Sequence, residues 1–245
     1  MAQKLDILAI AVHPDDIELS CAGTLIKHVD LGQKVGIIDL TQGELGTRGT
    51  PELRLQEAQA AAEVMGIEVR ENLGMADGFF VNDKAHQLKL IEYIRKYSPD
   101  IVIANALEDR HPDHGRAGKL IADACFLSGL RKIETTHNGE PQKEWRPKRV
   151  FHMIQDRFLK PDFIVDISST LDRKLESIKC YGSQFHNTTS DEPMTYIATS
   201  GFLDNILNRS SLLGKRIGVA HGEGFICENT IGISDLNSLI LPEMA

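Results

Sequence analysis

Two short polar clusters carry residue types suited to hydrolytic chemistry: Val12-His13-Pro14-Asp15-Asp16 and Arg110-His111-Pro112-Asp113-His114. Each delivers imidazole and carboxylate groups within one turn of chain, stiffened by a proline. His13, one carboxylate of the Asp15-Asp16 pair, and His114 together supply two neutral imidazoles and one carboxylate. That is a ligand set of hydrolytic zinc sites, which keep a fourth position for water. The spacing leaves open which of the two adjacent aspartates is the ligand. It allows one to bind the ion while its neighbour takes a proton from a water whose pKa the ion lowers to roughly 7. Zinc is the favoured ion for this mixed donor set, with Fe2+, Co2+ or Mn2+ as substitutes. His111 beside Asp113 would be held in one tautomer and kept partly cationic, which suits protonation of a leaving amine or stabilisation of an oxyanion. A single His-Pro-Asp-Asp would read as a turn, and Asp113 could simply cap a helix. Two such clusters in matching positions are what argue for a metal site.

Those positions follow from the elements around them. Leu5–Val12 is an apolar strand, followed by helical spacing over 17–31. A second strand spans Lys34–Leu40, and residues 41–50 form a glycine-rich loop. Thr50 and Pro51 then start an alanine-rich helix that runs to about Met65, with the cap residue before a proline at the first helical position. A third strand ends near Leu73, an amphipathic helix covers 84–97, and Ile101–Ala104 is a fourth strand. The second cluster follows at once and leads into a helix from Asp113 to Leu127. This alternation predicts an α/β fold: a Rossmann-like, mostly parallel sheet with helices on both faces and an elaborated C-terminal portion. Ligands of such sheets bind beyond the carboxyl ends of the strands, where both clusters lie. Beyond residue 128 the pattern loosens. Residues 134–147 read as a loop, Val150–Ile154 and Phe163–Ile167 as strands, Ser168–Tyr181 and Met194–Leu213 as helices, and Ala220–Ile226 as a last strand. No repeat or linker divides the chain, so residues 1–245 are expected to form a single domain.

The 245 residues carry a formal net charge of −8. That balance argues against nucleic acid or an anionic membrane as partner, since both usually meet a basic face. Four scattered cysteines without a CxxC read as buried small hydrophobes in a reducing compartment. No apolar run approaches the length of a membrane span. A cytoplasmic protein acting on a small molecule is expected.

Here the residues resemble a family. His13-Pro14-Asp15-Asp16 and His111-Pro112-Asp113-His114 look like the two signature motifs of the zinc-dependent PIG-L/LmbE-like N-acetylglucosamine deacetylases. Within that family the chain resembles the bacillithiol-biosynthesis branch, which deacetylates N-acetylglucosaminyl-L-malate. The supporting stretches are Asp39-Leu40-Thr41, Gly43-Glu44, Gly49-Thr50, Glu52-Leu53-Arg54, Asn72-Leu73, Glu108-Asp109-Arg110-His111, Ser183-Gln184-Phe185 and Glu223-Gly224-Phe225. The resemblance implies that His13, Asp16 and His114 are the metal ligands and that Asp15 is the general base. It implies that His111, with Asp113 behind it, is the electrostatic partner or acid, that Arg54 binds sugar, and that Tyr196 approaches the oxyanion. A homo-oligomer, a hexamer built as a trimer of dimers, is also implied. By their residue types Arg48 and Arg110 are candidates for a substrate carboxylate, and Glu44 for a sugar hydroxyl. His186 and His221 receive no role.

The activity expected is therefore metal-dependent hydrolysis of the N-acetyl amide of a GlcNAc-type substrate. One alternative is an amidase for a chitobiose-like sugar or a thiol conjugate. Malate calls for arginines beside the sugar and a neutral disaccharide does not. A non-hydrolytic nucleotide-binding Rossmann protein is a further alternative, disfavoured because no GxGxxG turn follows the first strand.

Overall fold

Strand β1 (Ile7–Ala11) is buried along its whole length, as a strand covered on both faces must be. In the computed structural model, which describes residues 4–185 and 191–241, its side chains divide between two cores. Leu8 and Ile10 pack with Leu90, Ile91 and Ile94 of α4 (Lys84–Tyr97) and with Leu120 and Ile121 of α5 (Pro112–Leu127). Ile7, Ala9 and Ala11 face Leu25 and Ile26 of α2 (Ala22–Asp30) on the other side. The period-two alternation of β1 thus holds two helical layers against one sheet.

Beside β1 lie β2 (Val35–Thr41), β3 (Val69–Met75), β4 (Ile101–Ala104) and β7 (Arg149–Met153), all parallel. A two-stranded ribbon, β5 (Thr136–His137) with β6 (Glu140–Pro141), sits apart. It falls within the stretch expected to be loop. The main sheet has seven strands in the order β3-β2-β1-β4-β7-β9-β8. Here β8 is Phe163–Asp166, and β9 (Gly222–Cys227) runs antiparallel to both of its neighbours. The α/β fold with a mostly parallel sheet and helices on both faces is as expected from the sequence.

Strand order reverses between β1 and β4. Neighbouring connections there leave the sheet in opposite directions, and their carboxyl ends frame a crevice. Both polar clusters open into it.

Two helical boundaries differ from the sequence reading. The stretch 17–31 is split into α1 (Asp16–Ser20) and α2, with Cys21 between them at φ −140°. The start of α2 is capped from far along the chain: Glu223 accepts from the backbone N–H of Gly23 at 3.0 Å and of Thr24 at 2.7 Å, and pairs with Lys174 at 2.5 Å. No local pattern announces such a cap. The second difference lies after α6 (Leu171–Lys179), where α7 spans Phe202–Arg216. The segment before it, including Tyr196, is irregular. Phe202 and Ile206 of α7 pack with Ile178, Tyr181 and Ala58 and Ala61 of α3 (Pro51–Met65) in a third core.

A buried ionic group braces the wall near α1. Arg70 donates to both oxygens of Asp39, at 2.8 and 2.9 Å, and to Glu18 at 2.5 Å, while the Tyr181 hydroxyl donates to Glu18 at 3.0 Å. Leaving one charge of such a buried set unpaired costs about 3–5 kcal/mol.

Candidate metal and catalytic centre

Five parallel strands deliver the site. Beyond β1 come His13, Asp15 and Asp16; beyond β2, the loop with Leu45, Gly46 and Thr47; beyond β3, Asp77 and Gly78. Beyond β4 come Asp109, Arg110, His111 and His114, and beyond β7, Gln155 and Asp156. All of these line one cavity of about 370 Å³, within the range of small-molecule sites.

His114 turns Nε2 to Asp16 Oδ1 at 3.1 Å, and His13 turns Nδ1 to Asp16 Oδ2 at 3.7 Å. Each imidazole is held from behind. Asp109 lies 2.6 Å from His114 Nδ1, and Asp77 lies 2.9 Å from His13 Nε2. A carboxylate on the outer nitrogen fixes the tautomer and leaves the inner nitrogen free to ligate, as in carboxylate–histidine–metal arrangements. Asp16 is gripped as well, accepting from the His13 backbone at 3.0 Å, from Gln155 Nε2 at 3.0 Å and from Asn105 Nδ2 at 3.2 Å.

The electrostatics agree with the geometry. Burial alone would raise the Asp16 carboxyl, but the His114 and His13 imidazoles hold it well below the ordinary carboxylate range. Burial would lower His114, yet the Asp16 charge and the Asp109 hydrogen bond lift it to about 10. His13 is raised despite its burial by Asp77 and Asp16.

The donor chemistry therefore fits a divalent ion at His13, Asp16 and His114. Two other groupings have ligand atoms that all lie close enough together to hold an ion. His13, His111 and His114 bring one ring nitrogen each within 4.8 Å of one another, and so do His13, Asp77 and Asp113 with their ligand atoms. The second grouping is already committed. Asp77 holds His13 and accepts from the Leu45 backbone at 3.1 Å, while Asp113 accepts from Gly78 N–H and from Arg116, both at 2.8 Å. In the first grouping, His111 has its Nδ1 accepting from the Asp113 backbone N–H at 3.3 Å.

That contact changes the expected partnership of His111. The residue itself caps α5, with Pro112 and Asp113 in the first turn. The Asp113 carboxylate is turned to Arg116 and Gly78. Burial, then the neighbouring His13 and His114, push His111 below its ordinary value, so it is not kept cationic. With Nδ1 accepting, the neutral ring carries its proton on Nε2, as a hydrogen-bond donor.

Asp15 stands apart from its neighbour. It is 5% exposed, lines the cavity, and among the described residues its carboxylate makes no hydrogen bond. Burial raises it to about 7, with Arg54 pulling the other way. Its backbone sits at φ 124°, ψ −25°, a region that residues with a Cβ rarely occupy and that costs on the order of 1–3 kcal/mol. The strained step between Asp15 and Asp16 gives the adjacent carboxylates different tasks: one grips the His pair, the other stays open to the cavity.

Of the expected substrate residues, Arg54 and Arg110 line the cavity and Arg48 and Glu44 do not. Arg54, on the first turns of α3, is buried and hydrogen-bonded to Gln184. Arg110 pairs with Asp156 at 3.3 Å and lies 4.4 Å over the ring of Tyr196. Tyr196 is half exposed at the cavity wall and donates its hydroxyl to Asp156 at 2.9 Å. Arg48 instead ties loops together, donating to the carbonyls of Ser183, Glu192 and Pro193. Glu44 accepts from the Asp77 backbone N–H at 2.8 Å and so supports the residue that holds His13. His221 meets Ser210 at 3.1 Å, away from the cavity, and His186 lies outside the described residues.

Sequence reasoning missed Asp77, Asp109, Asn105, Gln155 and Arg209. Asp77 lies in an Asp-Gly pair between a strand and a helix, a sequence typical of a turn. Asp109 sits in the Glu108-Asp109-Arg110-His111 stretch, where sequence alone assigns it no role. Arg209 lies within α7, and nothing in its local sequence marks it. Its guanidinium reaches the cavity and donates to the carbonyls of Leu19 and Gln155.

Known proteins share this arrangement of chain. Residues 8–125 match the PIG-L family, described as GlcNAc-PI de-N-acetylase. The chain is 30% identical over 196 residues to the diacetylchitobiose deacetylase of Thermococcus kodakarensis, covering 73% of this chain and 70% of that one. A probable N-acetyl-alpha-D-glucosaminyl L-malate deacetylase 2 of Bacillus anthracis is 22% identical, over 80% of this chain and 88% of its own. The malate branch is thus a more distant likeness than the sequence motifs implied. A crystal structure of a conserved protein from Thermus thermophilus superimposes with a TM-score of 0.84 at 33% identity, covering 94% of this chain and 97% of that one.

Proposed function

The chain belongs to the PIG-L family of deacetylases, and from that premise we propose that its cavity hydrolyses the N-acetyl amide of a GlcNAc-type substrate, releasing acetate and a free amine. The observation that carries this reading is the open, buried Asp15 carboxylate one residue from Asp16, whose oxygens face His13 and His114.

His13, Asp16 and His114 would hold a divalent ion, with zinc the ion favoured by two imidazoles and a carboxylate and Fe2+, Co2+ or Mn2+ as substitutes. Such an ion supplies Lewis-acid activation of water and carbonyl oxygen. Asp15 takes the proton from the attacking water; a carboxyl raised to about 7 is well matched to that transfer near neutral pH. His111, donating from Nε2, meets the charge that develops on the carbonyl oxygen. The proton collected by Asp15 then goes to the leaving nitrogen as the C–N bond breaks. Tyr196 would have to release Asp156 before its hydroxyl could assist. Asp113 acts by fixing Gly78 and Arg116 rather than by charging His111.

The substrate we propose is a GlcNAc conjugate with an acidic aglycone, N-acetylglucosaminyl-L-malate in bacillithiol biosynthesis. Support comes from Arg54, Arg110 and Arg209 in the cavity wall, because guanidinium groups hold carboxylates in a fork. The 30% identity to a diacetylchitobiose deacetylase favours a neutral disaccharide as the second reading. We place the protein in the cytoplasm as a homo-oligomer, a hexamer by the resemblance of its motifs; no helix among the described residues is long and apolar enough to cross a membrane.

Acetate release from GlcNAc, N-acetylglucosaminyl-L-malate and diacetylchitobiose tests the substrate. The acidic conjugate should give the highest kcat/KM. A preference for diacetylchitobiose would transfer the assignment to the neutral sugar, and no acetate from any of the three would reject deacetylation of this class.

A further inference from the structure

We propose that Asn105 and Gln155 form a neutral amide clamp that fixes Asp16 as a metal ligand, and that His152 and Glu228 brace this clamp from behind. The inference rests on the reading of Asp16 as a ligand.

Each oxygen of Asp16 has its own amide. Gln155 Nε2 donates to Oδ1 at 3.0 Å and Asn105 Nδ2 donates to Oδ2 at 3.2 Å. The two amides also lock each other, since Asn105 Nδ2 donates to Gln155 Oε1 at 2.9 Å. The same oxygen accepts the Ala106 backbone N–H at 3.1 Å. Asn105 is 0% exposed and Gln155 and Asp16 are 4% exposed, so these contacts are largely shielded from bulk water. Rotation of the Asp16 carboxylate would break both amide contacts at once.

The chemical type of the clamp matters as much as its geometry. A lysine or arginine in the same place would pair with the carboxylate and withdraw part of the charge an ion needs. Amide N–H groups orient both oxygens and leave the formal charge of Asp16 in place. Among the described residues, the other polar side chains paired with Asp16 are imidazoles of the ligand set.

The clamp is itself held. His152 is fully buried on β7, with Nδ1 2.8 Å from the backbone carbonyl of Asn105 and Nε2 2.8 Å from Glu228. A carbonyl only accepts, so Nδ1 carries a proton and Nε2 is left to Glu228. On the opposite side α5 lies against the same backbone: a Cβ on Gly118 would sit 2.9 Å from the Ala106 carbonyl and 3.0 Å from that of Asn105. A continuous line of contacts therefore runs from the partly exposed Glu228, beyond the end of β9, through His152 and Asn105 to Asp16. These four are positioning residues and a ligand; only Gln155 of the clamp also borders the cavity.

Ion affinity in chelator competition, the visible spectrum of the Co2+-loaded protein, and the melting temperature of the ion-stripped protein together test the proposal. Gln155→Met should weaken ion binding about 10–100-fold, as loss of an outer-shell partner does, and alter the Co2+ spectrum. Glu228→Ala, at a side chain 37% exposed and safe for folding, should weaken it a few-fold, roughly the lower edge of that range or less. Glu228→Gln, which keeps a hydrogen-bond partner for His152 Nε2, should restore binding. The melting temperature of ion-stripped Glu228→Ala should stay at the wild-type value. Wild-type affinity and spectrum in both Gln155→Met and Glu228→Ala would overturn the clamp; if Gln155→Met does not fold, Glu228→Ala decides alone. Asp16→Asn separates the two levels. If it loses the ion while the other variants keep it, the clamp fails and the ligand reading stands; if it too keeps the ion, the ligand reading falls and the clamp with it.

Discussion

Asp109 lies 2.6 Å from Nδ1 of His114, and the opposite nitrogen of that ring lies 3.1 Å from Asp16. One carboxylate thus sets the direction in which His114 can ligate. Asp109 also accepts from the backbone N–H of Arg157 at 2.6 Å, so it is fixed from a second loop. Asp109→Asn should reduce ion affinity about 10–100-fold, read by chelator competition. An unchanged dissociation constant would mean that His114 is oriented by something else.

Asp15→Asn separates proton transfer from ion binding. The variant keeps the shape and the ion and loses the base. A fall in kcat of about 10²–10⁴-fold with unaltered metal stoichiometry is expected. Turnover near wild type would remove Asp15 from the reaction.

The backbone of Asp15 offers a second, opposite readout. At φ 124° glycine is relaxed where aspartate is strained. Asp15→Gly should therefore melt higher than wild type, by a free energy on the order of 1 kcal/mol or more, while losing activity. A lower melting temperature would show that the strain is absent or that the carboxylate stabilises the fold.

Burial of Asp15 also has a pH signature in ion-stripped protein. The folded state holds this carboxyl at about 7 against an ordinary value of 3.8, so between those limits the folded chain binds the proton more tightly than the unfolded one. Stability must then fall as pH rises through that window, level off above it, and carry no penalty below it. Asp15→Asn never ionises. The melting temperature of Asp15→Asn minus that of wild type should widen from pH 4 to pH 7. A constant difference would contradict the burial argument.

Arg110 tests the acidic aglycone without disturbing the core. Its side chain is 48% exposed and pairs with Asp156 at the cavity wall. Arg110→Ala should raise KM for N-acetylglucosaminyl-L-malate by about 10-fold or more, the worth of one charged hydrogen bond, and leave KM for GlcNAc nearly unaltered. Equal effects on both substrates would separate Arg110 from the aglycone.

The parallel sheet and the gathering of His13, Asp15, Asp16, His111 and His114 were legible because periodicity identifies buried strands and the loops that follow them. The outer partners were not. Asp77 and Asp109 arrive from loops beyond β3 and β4, and only the three-dimensional crossing of those loops reveals that they stand behind His13 and His114. Arg48 and Glu44 show the reverse: their residue types suit a ligand, but backbone groups of neighbouring loops claim them. The apolar neighbours of Tyr196 predict a helix there, whereas α7 starts only at Phe202. The break at Cys21 depends on Glu223, some two hundred residues away, which no local pattern can encode.

The central claim is that the two clusters build one ion-dependent hydrolytic centre. Acetate release from N-acetylglucosaminyl-L-malate should vanish after chelation and return when about one equivalent of Zn2+ per chain is added, as expected for a single three-ligand site. Acetate release that persists at full rate in protein verified to be free of metal would contradict it.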